Sequence, residues 1–196
     1  MRVSRGFTLV ELLVTITIFV VLTGVVLFSQ NKFNGSIMLT NLAYDTALTL
    51  RQAQTYGVNV REFNGNFMPY GVHFDKTNLK SFILFTDLNS SGVFDGDPTV
   101  CLDQPNGTDD GCVQKFNIKS NNLIGSICSS VTDNNTCDYQ SADVTFKRPN
   151  PEANIRLTKN ASTAIFDNVR IILSSPTNET REVIVQKNGL IYVKQR

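Results

Sequence analysis

One carboxylate stands alone near the start of this chain. Glu11 is the only charged side chain between residues 7 and 29, and Arg2 and Arg5 precede that run. An acidic residue in an apolar segment costs up to about 3 kcal/mol at a bilayer centre, less toward the interface, and is usually paired. Glu11 therefore asks for a cation, and the segment supplies none. Elsewhere the residues that could do chemistry are few. Cys101, Cys112, Cys128 and Cys137 are the four cysteines, and His73 is the one histidine. Asp87, Asn89, Ser91, Asp95 and Asp97 put oxygen side chains at alternate positions around Gly92, as a calcium loop does. Lys187, Lys194 and Arg196 make a small basic end of the kind that contacts phosphates.

These groups do not add up to an enzyme. There is no phosphate-cradling glycine-rich loop, no nucleophile elbow and no zinc-protease helix motif. A triad built on Ser or Cys would have to pass through His73, which sits in the strand-like Tyr70-Gly71-Val72-His73-Phe74 and reads as a strand-face residue. No Cys-x-x-Cys pair is present, so disulfides are favoured over zinc, with three connectivities open. Nearest-neighbour pairing would staple two polar loops that bury little apolar surface. The acidic turn has two readings. Its twelfth position is Pro98 where a bidentate glutamate is expected, and Asp, Asn, Ser and Gly also favour a plain solvated turn. Calcium is thus the one cofactor in question, and no other is expected.

The element that positions Glu11 is a helix. Residues 7–29 would span roughly 34 Å at about 1.5 Å per residue, enough to cross a hydrocarbon core of roughly 30 Å. The run is too long, and lacks a small-x-small site, for a secretory signal peptide. A plain membrane anchor oriented by Arg2 and Arg5 explains the length but not the acid. Beyond residue 29, Leu39, Leu42, Ala43, Thr46, Ala47, Leu50, Ala53 and Gln54 recur at three- and four-residue spacing, which predicts one helical face packed on a core. No proline precedes Pro69, so the helix is expected to run on from about Phe7 to Tyr56 and to stop at Gly57.

The run Arg5-Gly6-Phe7-Thr8-Leu9-Val10-Glu11-Leu12-Leu13 resembles the processing and assembly signal of type IV pilins and of the pseudopilins of type II secretion. The resemblance implies that a prepilin peptidase cuts between Gly6 and Phe7 and methylates the new amine of Phe7. It implies too that Glu11 pairs with that amine on a neighbouring subunit, where a low dielectric strengthens the attraction. The competing reading is a Glu11 that snorkels to the interface. Leu50-Arg51-Gln52-Ala53-Gln54, the run from Phe82 through Asp87-Leu88-Asn89 to Gly92, and the closing hairpin around Asn188-Gly189 are similar to the GspH/FimT group of minor pilins and pseudopilins. The proline common in the family's long helix is missing here.

The remainder reads as β. Thirteen Phe and five Tyr supply aromatic core material and Trp is absent. Strands are predicted at 70–75 and 80–87 as a hairpin, then at 113–118, 143–147, 155–158, 169–173, 183–186 and 190–194. Asn188-Gly189 is a strong hairpin signal, and Pro149 and Pro151 mark a surface connection. The expected fold is α+β, one long helix on a mainly antiparallel sheet, pilin-like. Its parts would be a leader at 1–6, a transmembrane segment at 7–29, an amphipathic helical half at 30–57 and an extracytoplasmic domain at 58–196. The cysteine-containing stretch at about 99–154 reads as an insertion.

A formal net charge of +1 singles out neither nucleic acid nor a membrane surface as partner. The expected role is structural: a subunit, minor in kind, of a type IV pilus or secretion pseudopilus. It would be held in the inner membrane with its N-terminus in the cytoplasm. Its partners would be prepilin peptidase, the inner-membrane assembly machinery, membrane lipid before assembly and other pilin or pseudopilin subunits afterwards. Two alternatives compete: a minor pilin that captures DNA through Lys187, Lys194 and Arg196, and an anchored surface protein that never polymerises.

Overall fold

The computed structural model describes residues 6–59, 62, 65, 67–97, 101, 111–119, 121–130 and 136–195, the backbone alone at 28–34 and 195. Arg2, Arg5, Pro98 and Arg196 lie outside the described residues. One α-helix, α1 (Leu9–Val58), is 50 residues long. Its first part belongs to one compact unit, 1–37, and the rest to a second, 38–196.

In the first unit, Leu9–Leu27 is long and apolar enough to cross a membrane, with a mean hydropathy of 2.6. Its side chains pack on nothing: Leu13, Phe19 and Leu22 are all exposed. The three threonines within it turn their hydroxyls back onto the helix. Thr15, Thr17 and Thr23 donate to the carbonyls of Leu12, Leu13 and Phe19, each at 2.8 Å. Their polar atoms are thus satisfied inside the segment, as a helix surrounded by lipid requires.

In the second unit the amphipathic pattern performs as its spacing predicts. Leu39, Leu42, Ala43, Thr46, Ala47, Leu50 and Ala53 are buried. Among the described residues, ten strands form two antiparallel sheets against this face. The six-stranded sheet runs β3-β2-β1-β5-β6-β7, from β1 (Tyr70–Asp75), β2 (Ser81–Thr86), β3 (Gly111–Asn117), β5 (Ser141–Phe146), β6 (Ala153–Lys159) and β7 (Ser162–Phe166). The four-stranded sheet runs β10-β9-β8-β4, from β4 (Leu123–Cys128), β8 (Asn168–Ser174), β9 (Thr180–Gln186) and β10 (Ile191–Gln195). Alternate residues of both sheets, such as Tyr70, Val72 and Phe74 or Val169, Ile171 and Leu173, join the helix in one core. The expected α+β pilin-like architecture is therefore what the chain adopts, with two sheets where one was read.

Two strands were not predicted, β4 and β7, and the stretch 99–154 is woven into the architecture. It carries β3, β4 and β5, and β5 lies between β1 and β6 in the middle of the larger sheet. The helix end is fitted closely to that strand. A Cβ on Gly57 would stand 2.3 Å from the carbonyl oxygen of Phe146, so only glycine permits the approach. Side chains complete the join: Gln54 Nε2 donates to the carbonyls of Pro151 at 2.9 Å and Gly189 at 3.0 Å, and Arg51 Nη2 to that of Ile191 at 3.2 Å. Gly189 holds φ at +84° in the predicted Asn188-Gly189 turn.

Candidate functional site

Gly6 and Phe7 precede the helix and are exposed, and no group comes within 4 Å of where a Cβ on Gly6 would stand. The bond between them is accessible. The helix then starts with a reciprocal cap. Glu11 donates its backbone N–H to Thr8 Oγ1 at 3.2 Å. In return Glu11 Oε2 accepts from the Thr8 hydroxyl at 3.2 Å and from the Thr8 backbone N–H at 3.4 Å. This is a capping box, in which the first and fourth residues of Ser/Thr-x-x-Glu satisfy each other's orphan donors. Charge draws attention to Glu11 and not to Thr8, although the Thr8…Glu11 spacing is the sequence signal for such a cap. Negative charge at a helix N-terminus is also favoured by the helix dipole. Cleavage after Gly6 would place a new amine on the residue immediately before the Thr8 amide that Glu11 already engages.

The four cysteines form two disulfides, Cys101 to Cys112 and Cys128 to Cys137, which is the nearest-neighbour pairing. The second lies beside a buried ion pair. Arg170 Nη1 is 3.0 Å from Glu182 Oε1, both side chains are almost wholly buried, and Arg170 Nη2 donates to Cys137 Sγ at 3.5 Å.

The acidic turn is held by its own backbone. Asp87 Oδ1 accepts the N–H of Ser91 at 3.0 Å and Oδ2 that of Gly92 at 2.9 Å. Asn89 Oδ1 accepts from the Ser91 amide at 2.8 Å, and Asn89 Nδ2 donates to Asp95 Oδ2 at 2.5 Å. Burial pushes the Asp87 carboxyl above its ordinary value of 3.8, against the pull of those amides. Among the described residues no three His, Cys, Asp or Glu side chains gather into a metal-binding group.

His73 is on β1, and its Nδ1 lies 2.6 Å from Oδ1 of the fully buried Asp143. The same oxygen accepts the Phe94 N–H at 3.1 Å, and the Phe94 ring packs 5.1 Å from that of His73 and 5.2 Å from that of Phe85. The histidine is thus a strand-face residue with a structural partner, and it helps to hold residues 87–97 on the larger sheet.

Lys187 and Lys194, two of the three basic residues read as one end of the chain, are apart in the structure. Lys187 follows β9 and pairs with Asp167 at 3.0 Å, whereas Lys194 stands opposite Glu182 at the far end of the β9–β10 hairpin.

Residues 1–27 match the family described as the prokaryotic N-terminal methylation motif. No curated protein and no solved structure matches the chain. The motif, the apolar helix that follows it and the α+β domain together support a type IV pilin-like or pseudopilin precursor, anchored in a membrane by its N-terminal helix.

Proposed function

We propose that this chain is a structural subunit, minor in kind and of the GspH/FimT type, of a type IV pilus or type II secretion pseudopilus. The precursor sits in the inner membrane with its first residues in the cytoplasm and its β-rich domain outside. Prepilin peptidase cuts between Gly6 and Phe7 and methylates Phe7. The apolar helix then leaves the lipid for a bundle of neighbouring helices, where Glu11 compensates the amine of an adjacent subunit. One observation carries this reading: a single carboxylate sits in the first turn of α1 as the one charge in its exposed apolar segment Leu9–Leu27, behind an accessible Gly6–Phe7 bond. A membrane helix keeps an acid when the acid has a partner to meet.

Glu11→Ala tests it. The variant should be processed normally and accumulate in the membrane while failing to enter filaments sheared from cells. A non-polymerising anchor would tolerate the change with no difference between membrane and sheared fractions. The DNA-capturing alternative draws less support from the geometry, because Lys187 is already paired with Asp167 and lies apart from Lys194.

A further inference from the structure

A cleft of about 370 Å³ opens between the β5–β6 connection and the end of β7, within the usual size range for small-ligand sites of about 300–1,000 Å³. Its frame belongs to both sheets. The Ala153 N–H donates to the Lys187 carbonyl at 2.9 Å, and the Lys187 N–H to the Asp167 carbonyl at 2.8 Å, so the walls are fixed by backbone pairing. Gln54 of α1 braces the same corner through Pro151 and Gly189.

Three kinds of surface face into it. Ile165, Phe166, Pro69 and Pro149 are apolar, and Ile165, on the exposed edge strand β7, is 61% exposed. Lys147 and Arg148 are cationic and have no carboxylate partner among the described residues; the Arg148 guanidinium instead covers the Phe67 ring at 4.9 Å. Asn150 and Asn154 add neutral amides, and Glu152 and Asp87 add two acids, of which Asp87 is engaged by the Ser91 and Gly92 amides.

We propose that this cleft binds an acidic sugar, a hexuronate unit of an anionic polysaccharide. A sugar carboxylate would lie on Lys147 and Arg148, where charge-assisted hydrogen bonds are strongest. The C–H face of the ring would rest on Ile165 and Phe166, and its hydroxyls would meet the two asparagines and donate to Glu152. Bare phosphate would leave the apolar wall unused. A DNA backbone has no hydroxyl along its length to donate to Glu152, and an acidic peptide has no sugar C–H face to rest on Ile165 and Phe166. This site does not depend on whether the chain polymerises.

The full-length chain, held in a polyoxyethylene detergent that carries no sugar, is titrated calorimetrically with trigalacturonate. Binding is expected, and Lys147→Gln with Arg148→Gln should weaken it about tenfold or more, since charged hydrogen bonds are at stake. Ile165→Ser, at an exposed position that folding does not need, should weaken it by a smaller factor. Maltotriose, of similar size and uncharged, should bind about tenfold worse than trigalacturonate for the same reason. Equal affinity for the two trisaccharides, an unchanged affinity in the double variant, tighter binding of inorganic phosphate or of oligothymidylate, or no heat up to about 10 mM ligand would each overturn the assignment.

Discussion

Thr8 and Glu11 cap one another. The threonine hydroxyl accepts the Glu11 amide at 3.2 Å while the glutamate carboxylate accepts the Thr8 amide and hydroxyl. Before any neighbour arrives, the lone acid of the apolar helix is therefore in use, satisfying donors that lipid would leave bare. Its pairing with an amine in a filament would be an exchange of partners.

That relationship predicts a graded effect at residue 8. Thr8→Ala should loosen the first turn by about 1 kcal/mol, the usual cost of losing a hydroxyl cap, and Thr8→Ser should cost little. Amide hydrogen exchange of the protein in micelles measures it: the Glu11 amide should exchange roughly fivefold faster in Thr8→Ala and near the native rate in Thr8→Ser. Identical exchange in all three proteins would mean that the cap contributes nothing.

The Arg170–Glu182 pair predicts a strong loss and a rescue. Both side chains are almost fully buried, so removing one breaks a charge pair inside the fold. Arg170→Met should destabilise the domain by about 3–5 kcal/mol, and adding Glu182→Leu should recover most of it. Urea unfolding of the two variants decides the matter, and a double variant no better than the single would show that other contacts of these residues dominate.

The β6–β7 hairpin turns through Asn160 and Ala161 at φ values of +50° and +60°. Asn tolerates that region and Ala does not do so readily. Ala161→Gly should therefore stabilise the domain by about 1 kcal/mol, a rise in Tm of roughly 2–4 °C for a chain of this size. Ala161→Val should lower Tm instead, and a thermal melt of each variant gives the sign.

Asp87 predicts a pH effect. Burial raises its carboxyl above the ordinary 3.8, so the folded state holds that proton more tightly than the unfolded chain. Its charged form is a penalty at neutral pH, relieved as pH falls from above the raised folded value toward 3.8. Carbon-detected NMR titration of the Asp87 carboxyl should show a midpoint above the ordinary 3.8. A midpoint at or below 3.8 would contradict the burial argument.

What could be read from the sequence follows from how local the cause was. The buried helix face from Leu39 to Ala53 is legible because its period alone selects it. The Asn188-Gly189 turn is legible because a positive φ at Gly189 is a local demand. β7 was missed because it is an exposed edge strand whose order comes from pairing with β6, not from its own pattern. β4 was missed because a register shift between Ile124 and Ser126 spoils its alternation. The partner of His73 was out of reach for the plainest reason: Asp143 is 70 residues away and meets it only across the β1–β5 ladder. The Asp87 turn showed its residue types but not that its carboxylate faces its own amides. At the helix start the acid was legible and its cap was not, since Thr8 carries no charge to draw notice.

The central claim is that an apolar helix with one acid is stored in lipid until cleavage frees Phe7. It is tested most directly by the mass of the N-terminal peptide of the protein recovered from its own cells. The account predicts a chain that begins at Phe7 with a methylated amine. A chain that still begins at Met1, or one that begins beyond residue 29, would contradict it.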